Sequence, residues 1–215
     1  MTAVWVAVGI VAALLLALVV SYNRFVRQRN LVRESWRQVD VELVRRHDLI
    51  PNLVETVKAY AAHERAVLES VTAARTEALH AAADTRVGVA EQARAESALQ
   101  RSLGGLFAVA ENYPTLKADT QFLELQRQLA ETEDRIAAAR RFYNGNVRAL
   151  NTRVESFPSS LVASTFGFRP AGYFETDDPA VWAPVAVDFS APPAVAADGS
   201  AALPAPTADP PPADV

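Results

Sequence analysis

The histidines are the first residues to consider for metal or acid–base chemistry, and the chain has three of them, His47, His63 and His80. A helical zinc site of the His-Glu-x-x-His type needs two histidines one turn apart, so that both face one ion. His63-Glu64 lacks its second histidine, and the three imidazoles are spread over more than thirty positions. We therefore expect surface histidines, with neither a metal site nor a cofactor.

Two further patterns resemble functional motifs but do not meet the requirements of a phosphate-binding loop or of an acid–base pair. Gly104-Gly105 is not followed by the lysine and hydroxyl of a phosphate loop, and it lies in a helical pattern, so we interpret it as a close-approach point or a kink. Glu133 and Asp134 are adjacent carboxylates, but neighbours on a helix do not face one another. With no catalytic constellation and no evident small-molecule substrate site, we predict that the protein is not an enzyme.

One polar cluster remains as a candidate functional site: Arg45, Arg46, His47 and Asp48. We predict that it lies at the tip of the first helical hairpin. If the helix leaves the membrane at Arg24 and rises about 1.5 Å per residue, this tip is nearly 40 Å from the bilayer. That position suits contact with a soluble partner. The alternative is that these residues complement the helix dipole and cap the turn.

Composition limits the remaining classes of function. The 215 residues have room for one sizeable domain with accessories, and the absence of cysteine excludes disulfides, thiolate metal sites and a cysteine nucleophile. The net charge of -4 is unevenly spread, because residues 175–215 hold acids and no Lys or Arg. Residues 1–174 are only mildly basic, which is far from the concentrated basic surface that nucleic-acid binding requires.

Residues 1–23 carry no charged side chain, and positions 3–20 are almost wholly apolar. About 20 helical residues cross a bilayer core of roughly 30 Å, so the segment has the length of one membrane span. A cleaved signal peptide would begin with basic residues and end in a small-residue cleavage site, and neither is present. We predict an uncleaved transmembrane anchor.

The flanks of this segment predict its orientation. Arg24, Arg27, Arg29 and Arg33 follow the span, and no Lys or Arg precedes it. Positive charge is retained on the cytoplasmic side, so we expect the N-terminus outside and the body in the cytoplasm, at the plasma (inner) membrane. The same arginines are candidate membrane-surface contacts with anionic headgroups; the alternative is that they act as a topology signal alone.

After the anchor, apolar residues recur every three and four positions, which is the signature of amphipathic helices. The last of these patterns persists over several heptads and favours coiled-coil-like packing. The predicted core positions are Val32, Trp36, Val39, Leu43 and Ile50; Leu53, Val57, Tyr60, Val67 and Val71; Leu99, Leu103, Leu106 and Val109; and Phe122, Leu125, Leu129, Thr132, Ile136, Ala139, Tyr143, Val147, Leu150 and Val154.

Helix-breaking residues predict where these helices end. Proline disfavours helix in the residue before it, so we expect Pro51 to separate the first two helices and Pro158 to close the last. Residues 84–88 and 112–114 mark two further turns. The fold class is therefore all-α: an N-terminal transmembrane helix (1–23) followed by an elongated antiparallel four-helix bundle (24–158).

Two segments follow the bundle. Residues 159–174 are apolar and aromatic without helical spacing, and we expect a strap whose Leu161, Phe166, Phe168 and Phe174 pack back on the helices; an exposed binding patch is the alternative. Residues 175–215 are rich in proline, alanine and acids, a composition that predicts a disordered tail.

Four segments of the chain form a combined pattern: Tyr22-Asn23 after the apolar stretch, RHDLIPNLV at 46–54, EDRIAAARRFYN at 133–144, and Phe157-Pro158. With the anchor, this pattern resembles the LemA family of bacterial membrane proteins, over about residues 4–174. The resemblance implies a short exterior N-terminus, one span and an elongated helical bundle inside the cell, with no established catalytic activity. Some LemA-like proteins are associated with magnetosome membranes.

Two functions are consistent with these features. The first is a membrane-tethered, non-enzymatic scaffold or adaptor that presents helical faces to other membrane or cytoplasmic proteins. The second is a membrane-shaping or lipid-organising protein, whose partner is the lipid bilayer itself. The sequence motivates the first by an anchored bundle without catalytic residues, and the second by the juxtamembrane arginines.

Overall fold

The computed structural model describes residues 1–175. This part of the chain is built from helices, with no β-strand. Apart from Glu175, the predicted acidic tail lies outside the described residues. The helices are α1 (Thr2–Tyr60), α2 (Arg65–Ala83), α3 (Val89–Ala110), α4 (Pro114–Lys117), α5 (Thr120–Glu155) and α6 (Ser159–Phe166).

Helix α1 begins as the predicted anchor and continues without a break into the body of the protein, over 59 residues. It is the only helix of residues 1–175 that is long and apolar enough to cross a membrane, and none of its most apolar stretch is buried by other parts of the protein. A contiguous apolar surface of that size is not stable in water. Its exposure therefore fits a segment surrounded by lipid.

The predicted break at Pro51 is wrong, because α1 runs through this proline to Tyr60. Proline has no N–H to donate to the carbonyl four residues earlier, which is that of His47. Arg75 of α2 replaces the missing donor, since its Nε donates to the His47 oxygen at 2.9 Å. A side chain distant in sequence thus compensates for the hydrogen bond that Pro51 removes.

The chain turns instead at Ala61–Glu64, a stretch with neither glycine nor proline. Helices α2 and α3 then form a hairpin that packs on α1 and shares a core with α5, in the part of the body away from the span, which we call the distal section. Its four helices enclose one apolar core. The members of that core include Ile50, Leu53, Val57, Leu68, Val71, Leu99, Leu103, Leu106, Phe122, Leu125 and Leu129.

Helix α5 runs antiparallel to α1 along its length outside the span. Tyr60 at the end of α1 donates to Asp119, which caps the start of α5, at 2.9 Å. Near the other end, Gln28 donates to the carbonyl of Asn146 at 3.1 Å. Toward the span the two helices form a second core, in the proximal section, with Phe25, Val32, Val39, Leu43, Ile136, Tyr143, Val147 and Leu150.

The predicted strap consists of α6 and an extended segment, residues 167–175. Gly167 adopts the left-handed conformation (φ 71°) that ends α6 and redirects the chain. Two asparagines of α5 then hold the segment, because Asn144 and Asn151 each accept from and donate to its backbone, at Phe174 and Ala171 respectively. Phe168 and Phe174 are buried, whereas Leu161 and Phe166 are exposed, contrary to expectation.

Candidate functional site

Four charged or ionisable side chains from three helices meet inside the body, and we call Arg46, His47, Glu96 and Glu133 the polar layer. Arg46 of α1 is only 2% exposed. Its Nη1 donates to Glu133 of α5 at 3.0 Å, and its Nη2 contacts the carboxylate of Glu96 of α3. His47 Nε2 lies 3.2 Å from the same Glu96 carboxylate. The polar layer therefore joins α1, α3 and α5.

The heptad repeat of α1 places Arg46 in the core. Four apolar residues are buried in a seven-residue series, Phe25, Val32, Val39 and Leu53, and Arg46 occupies the position of that series between Val39 and Leu53. A polar residue at such a position costs stability but fixes the register of the paired helices. The polar layer lies where the distal and proximal cores meet, because Ile50 belongs to the first and Leu43 to the second.

Glu96 is ionised in this environment. Burial acts to raise its pKa and is the largest single influence, but the hydrogen bonds and the charges of His47 and Arg46 together outweigh it. The pKa of Glu96 therefore lies below its usual value. An ionised carboxylate against Arg46 is a stable ion pair, and it is not poised to take up a proton near neutral pH.

The space beside the polar layer is too small for a substrate. A cavity of about 20 Å³ lies against Arg46, Glu96 and Ser97, which is room for about one water molecule. Arg46 Nε has no hydrogen-bond partner within residues 1–175, so it is a polar atom that such a water would contact. The arrangement favours a structural role for the polar layer.

The predicted partner tip needs correction in its position. Because α1 continues through Pro51, Arg45 to Asp48 lie in the middle of a helix and not at the end of a hairpin. Arg46 and His47 point into the core and cannot contact a partner at the surface. Arg45 and Asp48 are exposed, and their contact with a partner stays a prediction.

The other motifs singled out in the sequence are also placed. His63 and His80 are exposed, at the α1–α2 turn and in the last turn of α2. Gly104 and Gly105 lie within α3, and a methyl group added at either would meet no atom within 4 Å, so they do not mark a close approach.

The four arginines that follow the span are exposed, but they differ in surroundings. Arg29 stacks over the ring of Phe168, at 5.5 Å from the ring centroid. Arg24 and Arg27 line a surface depression together with Arg153 of α5. Arg33 lies about 18 Å from Ser21 along the axis of α1 at 1.5 Å per residue. Their contact with headgroups stays a prediction.

Three residues of these sites were not identified from the sequence: Glu96, Arg75 and Arg153. Glu96 offered one local signal, since it falls three residues before Leu99 on the apolar face of α3 and is buried. A charged residue in phase with a seam is a sign of a buried partner. Arg75 and Arg153 have no comparable signal, because Arg75 bonds to a carbonyl of another helix and Arg153 comes to lie beside Arg24 only through the pairing of α5 with α1.

Comparison with known proteins places these features in a family. Residues 35–189 match the model of the LemA family. The chain is 28% identical over 186 residues to the magnetosome proteins MamQ 1 and MamQ 2 of Paramagnetospirillum magneticum, which covers 77% of this chain and 68% of each relative. It is 22% identical over 156 residues to the protein LemA of Metamycoplasma hominis, covering 73% of this chain and 69% of the relative.

Proposed function

Because this chain belongs to the LemA family, we propose that it is a membrane-anchored, non-enzymatic scaffold or adaptor that presents a rigid helical body to other membrane or cytoplasmic proteins. The anchor lies in the plasma (inner) membrane, with the N-terminus outside and the body in the cytoplasm. The observation that carries the proposal is the continuity of α1 from the span to the distal end.

A continuous helix sets the distance at which the body acts. From Ser21 to Tyr60, α1 extends about 60 Å at 1.5 Å per residue. The buried residues of α1 lie along this length against α5 and the α2–α3 hairpin, so the helix is supported on the side that faces the body. The distal end is therefore held away from the bilayer, where a protein partner can reach it.

The distal section also offers a groove for such a partner. Helices α1 and α2 enclose a groove of about 790 Å³, whose walls include Val54, Leu68 and Ala73 and whose rim carries Lys58 and Glu69. Apolar walls with a charged rim are the usual composition of a protein-binding surface. We propose this groove as the contact surface, with Arg45 and Asp48 as further exposed candidates on α1.

Site-specific crosslinking in intact cells tests the scaffold role. A photoreactive residue replaces Ala73 in the groove, and the control replaces Ala130, which is exposed on α5. We expect one discrete protein adduct from position 73 that is absent from position 130. Equal capture at both positions, or none at position 73, contradicts the proposal.

A second candidate is a lipid-organising or membrane-shaping role. The MamQ relatives are magnetosome proteins by name, and the exposed arginines beside the span are Arg24, Arg27, Arg29 and Arg33. Flotation of fragment 24–174 with liposomes separates the two. Binding to anionic liposomes that is abolished by Arg27→Gln/Arg33→Gln favours this candidate, and absence of such binding leaves the scaffold role ahead.

A further inference from the structure

The turn between α5 and α6 reaches the level of the membrane span. Gln28 of α1 bonds to Asn146 of α5, so these residues lie side by side. The nine residues from Asn146 to Glu155 descend about 14 Å at 1.5 Å per residue. The same descent along α1 leads from Gln28 to Val19, inside the apolar segment. Helix α5 therefore ends beside the last turn of the span.

The side chains at this turn are apolar and face outward. Phe157 is 81% exposed and Leu161 is 60% exposed, next to the equally exposed apolar surface of α1. We call Phe157, Pro158, Leu161 and Val162 the α5–α6 corner. Two large apolar side chains at this depth fit lipid far better than water. The nearby aromatic contact of Tyr22 with Phe166, with ring centroids 5.0 Å apart, is of the type found at membrane interfaces.

A groove separates the α5–α6 corner from α1. It has a volume of about 660 Å³, and Leu14, Leu18, Leu161 and Val162 are among its apolar walls. Arg24 and Arg153 close the end away from the span. Leu14 lies about 15 Å below Arg24 along α1, which is about the depth of the hydrocarbon part of one leaflet.

The charge at the end of the groove away from the span is strongly positive. Residues 21–33 and 148–158 contain six arginines and one acid, Glu155. Within residues 1–175, Arg24, Arg27 and Arg153 form no salt bridge with a carboxylate. An occupant with an apolar tail and a negative head matches both ends of the groove.

We propose that the groove binds an anionic phospholipid of the leaflet next to Ser21, with the α5–α6 corner inserted into that leaflet. Arg24 and Arg153 bind the lipid phosphate, and Leu14, Leu18, Leu161 and Val162 contact an acyl chain. The inference rests on the anchoring of α1 in a membrane. It does not depend on the scaffold role, because the groove lies at the opposite end of the body from the distal groove.

The depth of the corner is the first test, and the absence of cysteine from the chain makes site-directed spin labelling simple. The full chain is placed in nanodiscs of phosphatidylglycerol and phosphatidylcholine with a nitroxide on Leu161→Cys. Leu15→Cys reports the span, and Val41→Cys, which is 64% exposed on α1, is the matched control. Collisions with oxygen report lipid, and collisions with a water-soluble nickel chelate report water.

We expect the labels at positions 161 and 15 to favour oxygen and the label at position 41 to favour the chelate. A label at position 161 that favours the chelate, while position 15 favours oxygen, overturns this inference and leaves the anchor intact. A water-exposed label at position 15 overturns both. Spin–spin broadening at position 161 would show that a second copy of the chain occupies the groove, and it also overturns the inference.

Lipid selectivity is the second test. The lipids retained by the purified full chain are compared between Arg24→Gln/Arg153→Gln and the control Arg45→Gln/Arg101→Gln, which removes the same charge from exposed positions on α1 and α3 away from the groove. We expect the enrichment of phosphatidylglycerol to fall about fivefold for each groove arginine. We expect the phosphatidylglycerol enrichment to be unchanged in the control variant, and also unchanged when inorganic phosphate is added in excess to the wild type. An equal loss in both variants, or displacement by inorganic phosphate, overturns the inference.

Discussion

The carbonyl oxygen of His47 accepts a hydrogen bond from Nε of Arg75, 28 positions later in the chain, at 2.9 Å. This carbonyl is the one that Pro51 leaves without its helical donor. The contact explains how a proline is accommodated inside α1, and it ties α2 to the middle of that helix. The rigidity of α1 beyond the polar layer therefore depends on a residue of another helix.

A double-mutant cycle tests this compensation. We expect Arg75→Met to lower the free energy of unfolding of fragment 24–174 by about 1–3 kcal/mol, because the His47 carbonyl loses its donor. In a Pro51→Ala background the new N–H of residue 51 can bond to His47, so the same change should cost less than about 1 kcal/mol. Urea unfolding measures both. Equal losses in the two backgrounds would show that Arg75 acts independently of Pro51.

Removing one partner of the polar layer should destabilise the protein more than replacing both partners by apolar residues. Glu96→Ala leaves Arg46 buried with only the partly exposed Glu133, and loss of one partner of a buried pair costs about 3–5 kcal/mol. We expect a drop in Tm of roughly 6–20 °C by calorimetry. Arg46→Met combined with Glu96→Leu should recover most of it, because an apolar pair needs no compensation. A double variant less stable than Glu96→Ala would contradict this interpretation.

Acid should weaken the polar layer. The pKa of Glu96 is lower in the folded protein than its usual 4.5, so the ion pair contributes fully above pH 4.5. As pH falls from about 4.5 through the lower folded pKa, Glu96 takes up a proton and that contribution is lost. The gap in unfolding free energy between the wild type and Glu96→Gln should thus be constant near neutrality and narrow in acid. A gap that widens in acid would show that folding raises the pKa of Glu96 and does not lower it.

Burial along α5 predicts a contrast between large aliphatic residues of the same helix. Leu129 and Ile136 lie seven residues apart and are buried in the distal and proximal cores, whereas Leu123 is 48% exposed. We expect Leu129→Ala and Ile136→Ala each to cost about 2–5 kcal/mol. Leu123→Ala is the matched control and should cost about 0.5 kcal/mol or less. Thermal unfolding of fragment 24–174 distinguishes them, and similar losses at all three positions would refute the assigned face.

The orientation of the anchor is testable with reporters. A reporter fused after Val215 should behave as cytoplasmic and one fused before Met1 as exterior, because the arginines after the span are retained inside. Substitution of Arg24, Arg27 and Arg29 by Gln should weaken this preference. Cleavage of the body by an external protease in intact cells would show that the orientation is the opposite one and that the partner is not cytoplasmic.

Local patterns in the sequence determined the all-α fold, the apolar anchor and most of the core. The seven-residue recurrence of Phe122, Leu129, Ile136, Tyr143 and Leu150 identified the buried face of α5 directly. Such patterns succeed because a helix repeats every 3.6 residues, so burial of one face leaves a regular trace in the residue types. The arginines beside the span were visible for a similar reason, since their position relative to an apolar segment is a local property.

Contacts between distant residues decided the rest. Pro51 predicts a helix end unless Arg75 supplies its donor, and Arg46 is a surface residue by composition unless Glu96 and Glu133 face it. The α5–α6 corner lies beside Leu14 and Leu18 only because α5 runs back along α1 to the span. Each outcome depends on which groups from separate helices meet in space, and the energy of a hydrogen bond, an ion pair or an apolar contact is fixed by that meeting and not by the local pattern of residues.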